Sequence, residues 1–199
     1  MARQPRLDLP GIPRHVVQRG NDRQACFAAD VDYGQYLREL QEAARKHGCA
    51  IHAFVLMTNH VHLLVTPTCL VAVSRMTQAV GRRYVGLFNA RYRRTGTLRA
   101  GRFKAALIDS ERYLMACHRY IELNPVRARM TTDLADYRWS IHGHDAMDRR
   151  HPLITPHRKY LRPGLTPATR QIADRALIRE QLDEQQLTDL RLHTRQQRA

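Results

Sequence analysis

His60 and His62 stand one residue apart inside Phe54–Val65, FVLMTNHVHLLV, an apolar run broken only at Thr58-Asn59. Alternate side chains of a strand share a face, so the two imidazoles project to the same side. Such a pair supplies half of a divalent-cation site, which still needs a third ligand and open positions for substrate. Further along, Arg119–Pro125 reads RYIELNP and carries Tyr120 and Asn124. Residues four apart on a helix share a face. The neutral amide oxygen of Asn124 suits a hard cation such as Mg²⁺ or Mn²⁺. A phenol titrates near pH ~10 and is a poor nucleophile at neutrality, but a nearby cation stabilises the phenolate and polarises a phosphate. The chemistry implied is phosphoryl transfer through a covalent tyrosine intermediate. That link conserves bond energy, so rejoining needs no ATP.

Each piece has a plainer reading. Histidines one apart on a strand are usually satisfied core or surface residues, Tyr120 fits a core aromatic, and Asn124 fits a helix end before proline. The joint pattern outweighs these readings. Tyr113 is a rival nucleophile seven residues earlier, but Cys117 stands where it would need an amide. Glu122 and His118 are expected on other helix faces, where either could orient the hydroxyl or act as base, and neither is assigned to the site.

The elements that must position these residues follow from periodicity and punctuation. Arg14–Arg19 reads as a short strand, ended by Gly20-Asn21-Asp22. Tyr33, Tyr36, Leu37, Leu40 and Ala44 have helical spacing over 32–46, with Asp30 or Asp32 as cap and Gly48 as terminator. Residues 50–57 and 60–66 flank a tight Thr-Asn connection and form a hairpin. Val73, Met76, Val80, Tyr84 and Leu87 form the stripe of a second helix, reaching about Tyr92. Phe103–Ile108 is a fourth strand. A third helix starts at Glu111 and is expected to stop near Leu123, because Pro125 disfavours helical geometry at Asn124. The order predicts an α+β protein: a ferredoxin-like βαββαβ antiparallel sheet, helices on one face and the histidines on the other, followed by a C-terminal helical extension. Asp136–Gly164 reads as an irregular segment with solvent-exposed or phosphate-facing histidines. Residues 167–199 read as a polar helical pair, which ends without a capping signal, as if the chain continued.

Composition limits the partners. The 199 residues include 33 Lys and Arg against 18 Asp and Glu, a net charge of +15. That surplus favours a polyanion, with nucleic acid the usual one. Arg14, Arg19 and Arg23 cluster near the first strand with Asn21; Arg82 and Arg83 lie on the second helix; Arg102 and Lys104 precede or begin the fourth strand. These are the expected DNA-binding residues, their phosphate contacts giving affinity and little sequence information. Asn21, Tyr92 and His157 are possible base readers. Any single arginine is more often a solvated surface residue; the collective bias carries the reading. The four cysteines, Cys26, Cys49, Cys69 and Cys117, form no CxxC pair, so a thiolate zinc site has no support. No signal core and no membrane-length apolar run appear, and a cytoplasmic location is expected.

Asn59-His60-Val61-His62-Leu63-Leu64, Gly101-Arg102-Phe103-Lys104 and Tyr120–Ala128, YIELNPVRA, resemble the REP-associated tyrosine transposases of the single-tyrosine HUH superfamily. Pro13–Arg23 and Tyr137-Arg138-Trp139-Ser140 extend the resemblance to roughly residues 13–161. It implies a catalytic domain over residues 1–140, with residues 141–199 forming an irregular segment and accessory helices. It implies Tyr120 as nucleophile, His60, His62 and Asn124 as ligands of Mg²⁺ or Mn²⁺, and a 5′-phosphotyrosine with a free 3′-hydroxyl. The implied partners are single-stranded DNA hairpins of repetitive extragenic palindromes, with monomer and homodimer both open. The family often has Leu-Trp-Glu-Gly-Arg-Phe where this chain has Leu98-Arg99-Ala100-Gly101-Arg102-Phe103. Three other readings compete: a non-catalytic hairpin-binding descendant, an RNA-binding module lacking the expected aromatic pair, and a water-using metal hydrolase that leaves Tyr120 idle.

Overall fold

The computed structural model describes residues 9–145 and 151–158. Its elements follow the expected order: β1 (Arg14–Arg19), α1 (Asp30–His47), β2 (Cys49–Met57), β3 (His60–Pro67), α2 (Ala72–Arg91), β4 (Lys104–Leu107) and α3 (Glu111–Arg127), with a short α4 (His142–Asp145). The strands form one sheet in the order β2-β3-β1-β4, and every neighbouring pair is antiparallel. This is the split βαβ plan: the α1 crossover leaves between β1 and β2 a gap that β3 fills, and the α2 crossover carries the chain past β1 to β4.

Register assigns the two faces. Arg19 lies opposite His60, Val17 opposite His62 and His15 opposite Leu64, while Val55 lies opposite His62 from the other side. Directly opposed residues share a face, so His15, Val17, Arg19, Val55, His60 and His62 occupy one side. Val16, Phe54, Leu56, Val61, Leu63 and Val65 occupy the other and join the core. There α1 contributes Tyr36 and Leu40, and α2 contributes Val73, Met76, Val80, Tyr84 and Phe88, all buried. Truncating a residue such as Leu40 to alanine is expected to cost roughly 2–5 kcal/mol.

Local chemistry sets the helix ends. Asp32 is buried, and its carboxylate accepts the backbone N–H groups of Ala28 (2.9 Å) and Ala29 (3.1 Å). Its other partners come from the C-terminal end of α2, the Arg91 guanidinium and the Tyr92 hydroxyl, the latter at 2.8 Å. This polar knot fastens the start of α1 to the end of α2. Gly48 ends α1 in the left-handed region at φ 65°. A Cβ there would lie 2.1 Å from Thr68 Oγ1, so glycine is required both by conformation and by space.

α3 begins at Ser110, whose Oγ accepts the Tyr113 N–H. It lies across β2 and β3 on the histidine face, so the side left open by α1 and α2 is partly roofed. The expectation that α3 stops near Leu123 is corrected: it runs through Pro125 to Arg127. Proline cannot donate to the Ile121 carbonyl, but only Val126 and Arg127 follow it in the helix. The Ala128 N–H closes the last turn on Asn124 O at 2.9 Å.

The segment after residue 136 does not stand apart from the sheet. Leu56 N donates to Trp139 O, Ile141 N to Phe54 O and Thr155 N to Ile51 O, covering the outer edge of β2. His142, expected to face solvent or phosphate, is buried instead. Its Nδ1 lies 2.6 Å from Oε1 of the fully buried Glu122 on α3. The sequence pattern missed this because the partner lies twenty residues away, on a helix face that reads as simply polar. The helical pair expected over 167–199 lies outside the described residues. Among the described residues, no helix is long and apolar enough to cross a membrane.

Candidate active site

His60 and His62 emerge on the same side of β3, their ring centroids 4.9 Å apart. Each has one ring nitrogen engaged. His60 Nδ1 lies 2.6 Å from Asn59 Oδ1, and the Asn59 amide is oriented by Nδ2 donating to Arg23 O at 3.1 Å. An amide oxygen only accepts, so His60 carries its proton on Nδ1 and presents a lone pair at Nε2. His62 Nδ1 lies 2.9 Å from Nε2 of His15, a residue 1% exposed on β1. His62 Nε2 is buried and has no hydrogen-bond partner. Burial lowers the pKa of His60 to about 4, with Arg19 adding repulsion. Burial likewise lowers His15 to about 4. His62 is pushed well below the ordinary value by burial and then by its charged-form neighbours. All three imidazoles are therefore neutral at pH 7, the state a metal ligand requires.

α3 brings Tyr120 to this pair. Its half-buried ring meets His62 edge-on at 5.7 Å and His15 at 5.8 Å between centroids. Asn124, one turn later, donates Nδ2 to the Tyr120 carbonyl at 2.9 Å, which leaves its Oδ1 as the acceptor on that face of the helix. The Arg127 guanidinium lies over the Tyr120 ring, 5.2 Å from its centroid. Tyr113 sits two turns earlier on the same helix and is also half-buried.

The donors fit a hard divalent cation. His60 offers Nε2 by tautomer, His62 offers an orphaned buried Nε2, and Asn124 offers an amide oxygen. Among the described residues, no group of three or more His, Cys, Asp and Glu forms a metal cage. A set of two imidazoles and one amide is neutral, so charge balance is left to a phosphate ligand, the usual arrangement for Mg²⁺.

The expected DNA contacts divide into two groups. Arg19 is exposed at the end of β1, directly opposite His60. Asn21 and Arg23 follow on a loop tied to the hairpin tip by Gly20 N donating to Asn59 O and Cys26 N to Thr58 O, both 2.8 Å. Arg102 is exposed just before β4, and Lys104 lies opposite Val17 on the histidine face. Arg19 and Lys104 thus share the face of the pair, and Asn21, Arg23 and Arg102 lie on the loops that adjoin it. The other three lie elsewhere. Arg14 is 1% exposed and offers nothing to a phosphate, because its β1 position alternates onto the helix-covered side. Arg82 and Arg83 lie on α2, behind the sheet, where Arg83 pairs with Glu42 (2.5 Å) and Glu39 (3.4 Å) of α1. Tyr92 is held by Asp32 in the same layer, and His157 packs on His52 near the β2 edge.

Sequence reasoning missed His15, Asn59 and Arg127. The alternation of Arg14–Arg19 put His15, Val17 and Arg19 on one face, but only the β1–β3 register shows that this face is the one carrying His60 and His62. Arg99, one of the two departures from the family pattern, is buried with its guanidinium 4.9 Å from the Tyr36 ring and 5.7 Å from the Tyr84 ring. It takes an aromatic-lined slot behind the sheet, away from the candidate ligands.

The fold, with paired strand histidines facing a helical tyrosine, is that of a transposase catalytic domain by the comparisons that follow. The chain belongs to the family described as "Transposase IS200 like", whose sequence profile matches residues 10–124. Among solved structures, a REP-associated tyrosine transposase bound to a REP hairpin superposes with a TM-score of 0.63 at 16% identity, covering 79% of this chain and 93% of that one. A transposase-assigned crystal structure from Deinococcus radiodurans R1 shows 18% identity over 65% of this chain and 92% of that one, and its TM-score of 0.42 adds no argument. No curated protein matches the sequence.

Proposed function

We propose that this transposase-family protein cuts and rejoins single-stranded DNA at hairpins of repeated palindromic sequence, through a covalent bond to Tyr120. The observation that supports it is the meeting of the Tyr120 ring with His62, whose buried Nε2 has no protein partner. In the forward step the Tyr120 oxygen bonds to the scissile phosphorus and the bond to the 3′ oxygen breaks. The phenolic proton is lost as the departing 3′ oxygen gains one. The products are a 5′-phosphotyrosine and a 3′-hydroxyl. Attack by a 3′-hydroxyl reverses the sequence and restores Tyr120. His60, His62 and Asn124 are assigned to hold Mg²⁺ or Mn²⁺, which when bound polarises the phosphate and steadies the phenolate. Arg19, Asn21, Arg23, Arg102 and Lys104 are assigned to the DNA strand. The hairpin as partner is supported by the ligand of the REP-associated relative.

The test is incubation with end-labelled single-stranded hairpins and Mn²⁺, followed by a denaturing gel. A covalent adduct is expected, absent in Tyr120→Phe and in His60→Ala, while both variants retain hairpin binding because phosphate contacts dominate affinity. Tight binding without any adduct in the wild type would make the protein a non-catalytic hairpin binder. Undiminished cleavage in EDTA would remove the metal from the scheme.

A further inference from the structure

The buried third imidazole, His15, is not accounted for by packing alone. Its Nε2 meets His62 Nδ1 at 2.9 Å, and the two rings are nearly parallel, with centroids 5.1 Å apart and planes at 20°, as an in-plane hydrogen bond between them requires. Its own Nδ1 is buried with no hydrogen-bond partner. A residue kept only to fill space would do better without that nitrogen, since a buried polar atom lacking a partner is destabilising.

The pair admits two proton arrangements when both rings are neutral. In one, His15 Nε2–H donates to His62 Nδ1, and His62 Nε2 carries a proton and cannot bind a cation. In the other, His62 Nδ1–H donates to His15 Nε2, and His62 Nε2 is a free lone pair. His60 has no such choice, because Asn59 Oδ1 can only accept. Both histidines of the pair are thus held at Nδ1 by a neighbouring side chain, an amide oxygen for one and an imidazole for the other. An outer partner on the second ring nitrogen is how metal-binding histidines are oriented and their tautomer fixed.

We infer that His15 is a positioning residue, the acceptor that holds His62 in the Nδ1–H tautomer and aims its Nε2 at the cation. The inference rests on the proposed role of His62. It separates hydrogen-bond acceptance from shape: Gln at position 15 keeps an acceptor at the reach of Nε2, whereas Phe keeps the ring and removes it.

The experiment titrates full-length protein with Mn²⁺ alone, reading free Mn²⁺ by electron paramagnetic resonance, with thermal unfolding and hairpin binding in EDTA measured on the same samples. Relative to wild type, His15→Phe is expected to weaken Mn²⁺ binding by about 10- to 100-fold, the range for lost outer-sphere partners. His15→Gln is expected to recover most of that loss, and neither variant to lower Tm markedly or alter hairpin binding. Equal Mn²⁺ affinity in wild type and His15→Phe overturns the inference and leaves the His62 assignment standing. Equal losses in Phe and Gln variants also overturn it, since acceptance is then irrelevant. If wild type and His62→Ala bind Mn²⁺ equally well, the assignment of His62 fails and the inference falls with it.

Discussion

Asn124 donates its side-chain amide to the carbonyl of Tyr120, 2.9 Å away, one turn back on the same helix. The bond sets which end of the amide faces outward. Alanine at 124 removes the amide oxygen but is a better helix former and ends a side-chain competition for the backbone. Asn124→Ala is therefore expected to lower adduct formation by about 100-fold or more, in the range of a lost transition-state stabiliser, with Tm unchanged or slightly raised. Adduct yield and thermal unfolding on one preparation check both halves; unimpaired adduct formation would exclude Asn124 as a ligand.

The two groups of arginines make opposite predictions. Arg19 is exposed opposite His60, whereas Arg83 is paired with Glu39 and Glu42 behind the sheet. Arg19→Ala is expected to weaken hairpin binding several-fold and reduce the slope of log K against log salt by about 0.7, the single-strand value for one phosphate contact. Arg83→Ala should change neither. Fluorescence anisotropy at several salt concentrations measures the slopes.

Acid sensitivity is expected from His52, which lies away from the candidate site. Its Nδ1 donates to Thr155 O at 2.6 Å and its Nε2 lies 2.7 Å from Thr66 Oγ1. Burial lowers its pKa to about 4, with the hydrogen bond to the Thr155 carbonyl opposing the fall and His157 adding to it. The unfolded chain titrates near ~6.5, so below that pH it binds a proton the folded state refuses. The stability contributed by neutral His52 is complete above ~6.5 and falls as pH drops towards 4, with a slope approaching ~1.4 kcal/mol per pH unit. Urea unfolding between pH 7.5 and 4 should show a shallower pH dependence in His52→Gln. Identical curves would place the acid sensitivity elsewhere.

Gly48→Ala tests the turn between α1 and β2. The left-handed φ of 65° and the 2.1 Å approach to Thr68 Oγ1 both oppose a Cβ. A loss of roughly 1–3 kcal/mol is expected from the strained backbone, seen in the urea midpoint. Gly86, exposed on α2 with nothing near its Cβ position, is the control: Gly86→Ala should stabilise by about 0.5–1 kcal/mol.

The strands and helices were legible because their signals are local: apolar runs in 50–57 and 60–66, and an apolar stripe from Val73 to Tyr84, although Leu87, expected to continue that stripe, is exposed and Phe88 is buried in its place. The meeting of His60 and His62 with Tyr120 was expected from their residue types and the family resemblance and not from the element order, which left α3 without a face; the structure brings those rings together. Pro125 misled because proline disfavours, but does not forbid, helical geometry at the residue before it. Arg14 and Arg83 misled because charge counting does not assign faces. His15 and the Glu122–His142 pair were illegible for a common reason: each contact joins elements remote in sequence, and its chemistry appears only once register and docking are fixed.

The Glu122–His142 contact gives the stretch beyond the last strand a hold on the helix of Tyr120, since Glu122 is two residues from that tyrosine. A fragment ending at residue 140 would retain every side chain assigned to catalysis yet leave a fully buried carboxylate without its imidazole. If the proposed activity holds, the smallest active fragment is expected to be longer than the stretch that carries Tyr120, His60, His62 and Asn124. Shortening the chain to that point should loosen the tyrosine's seat before it unravels the sheet.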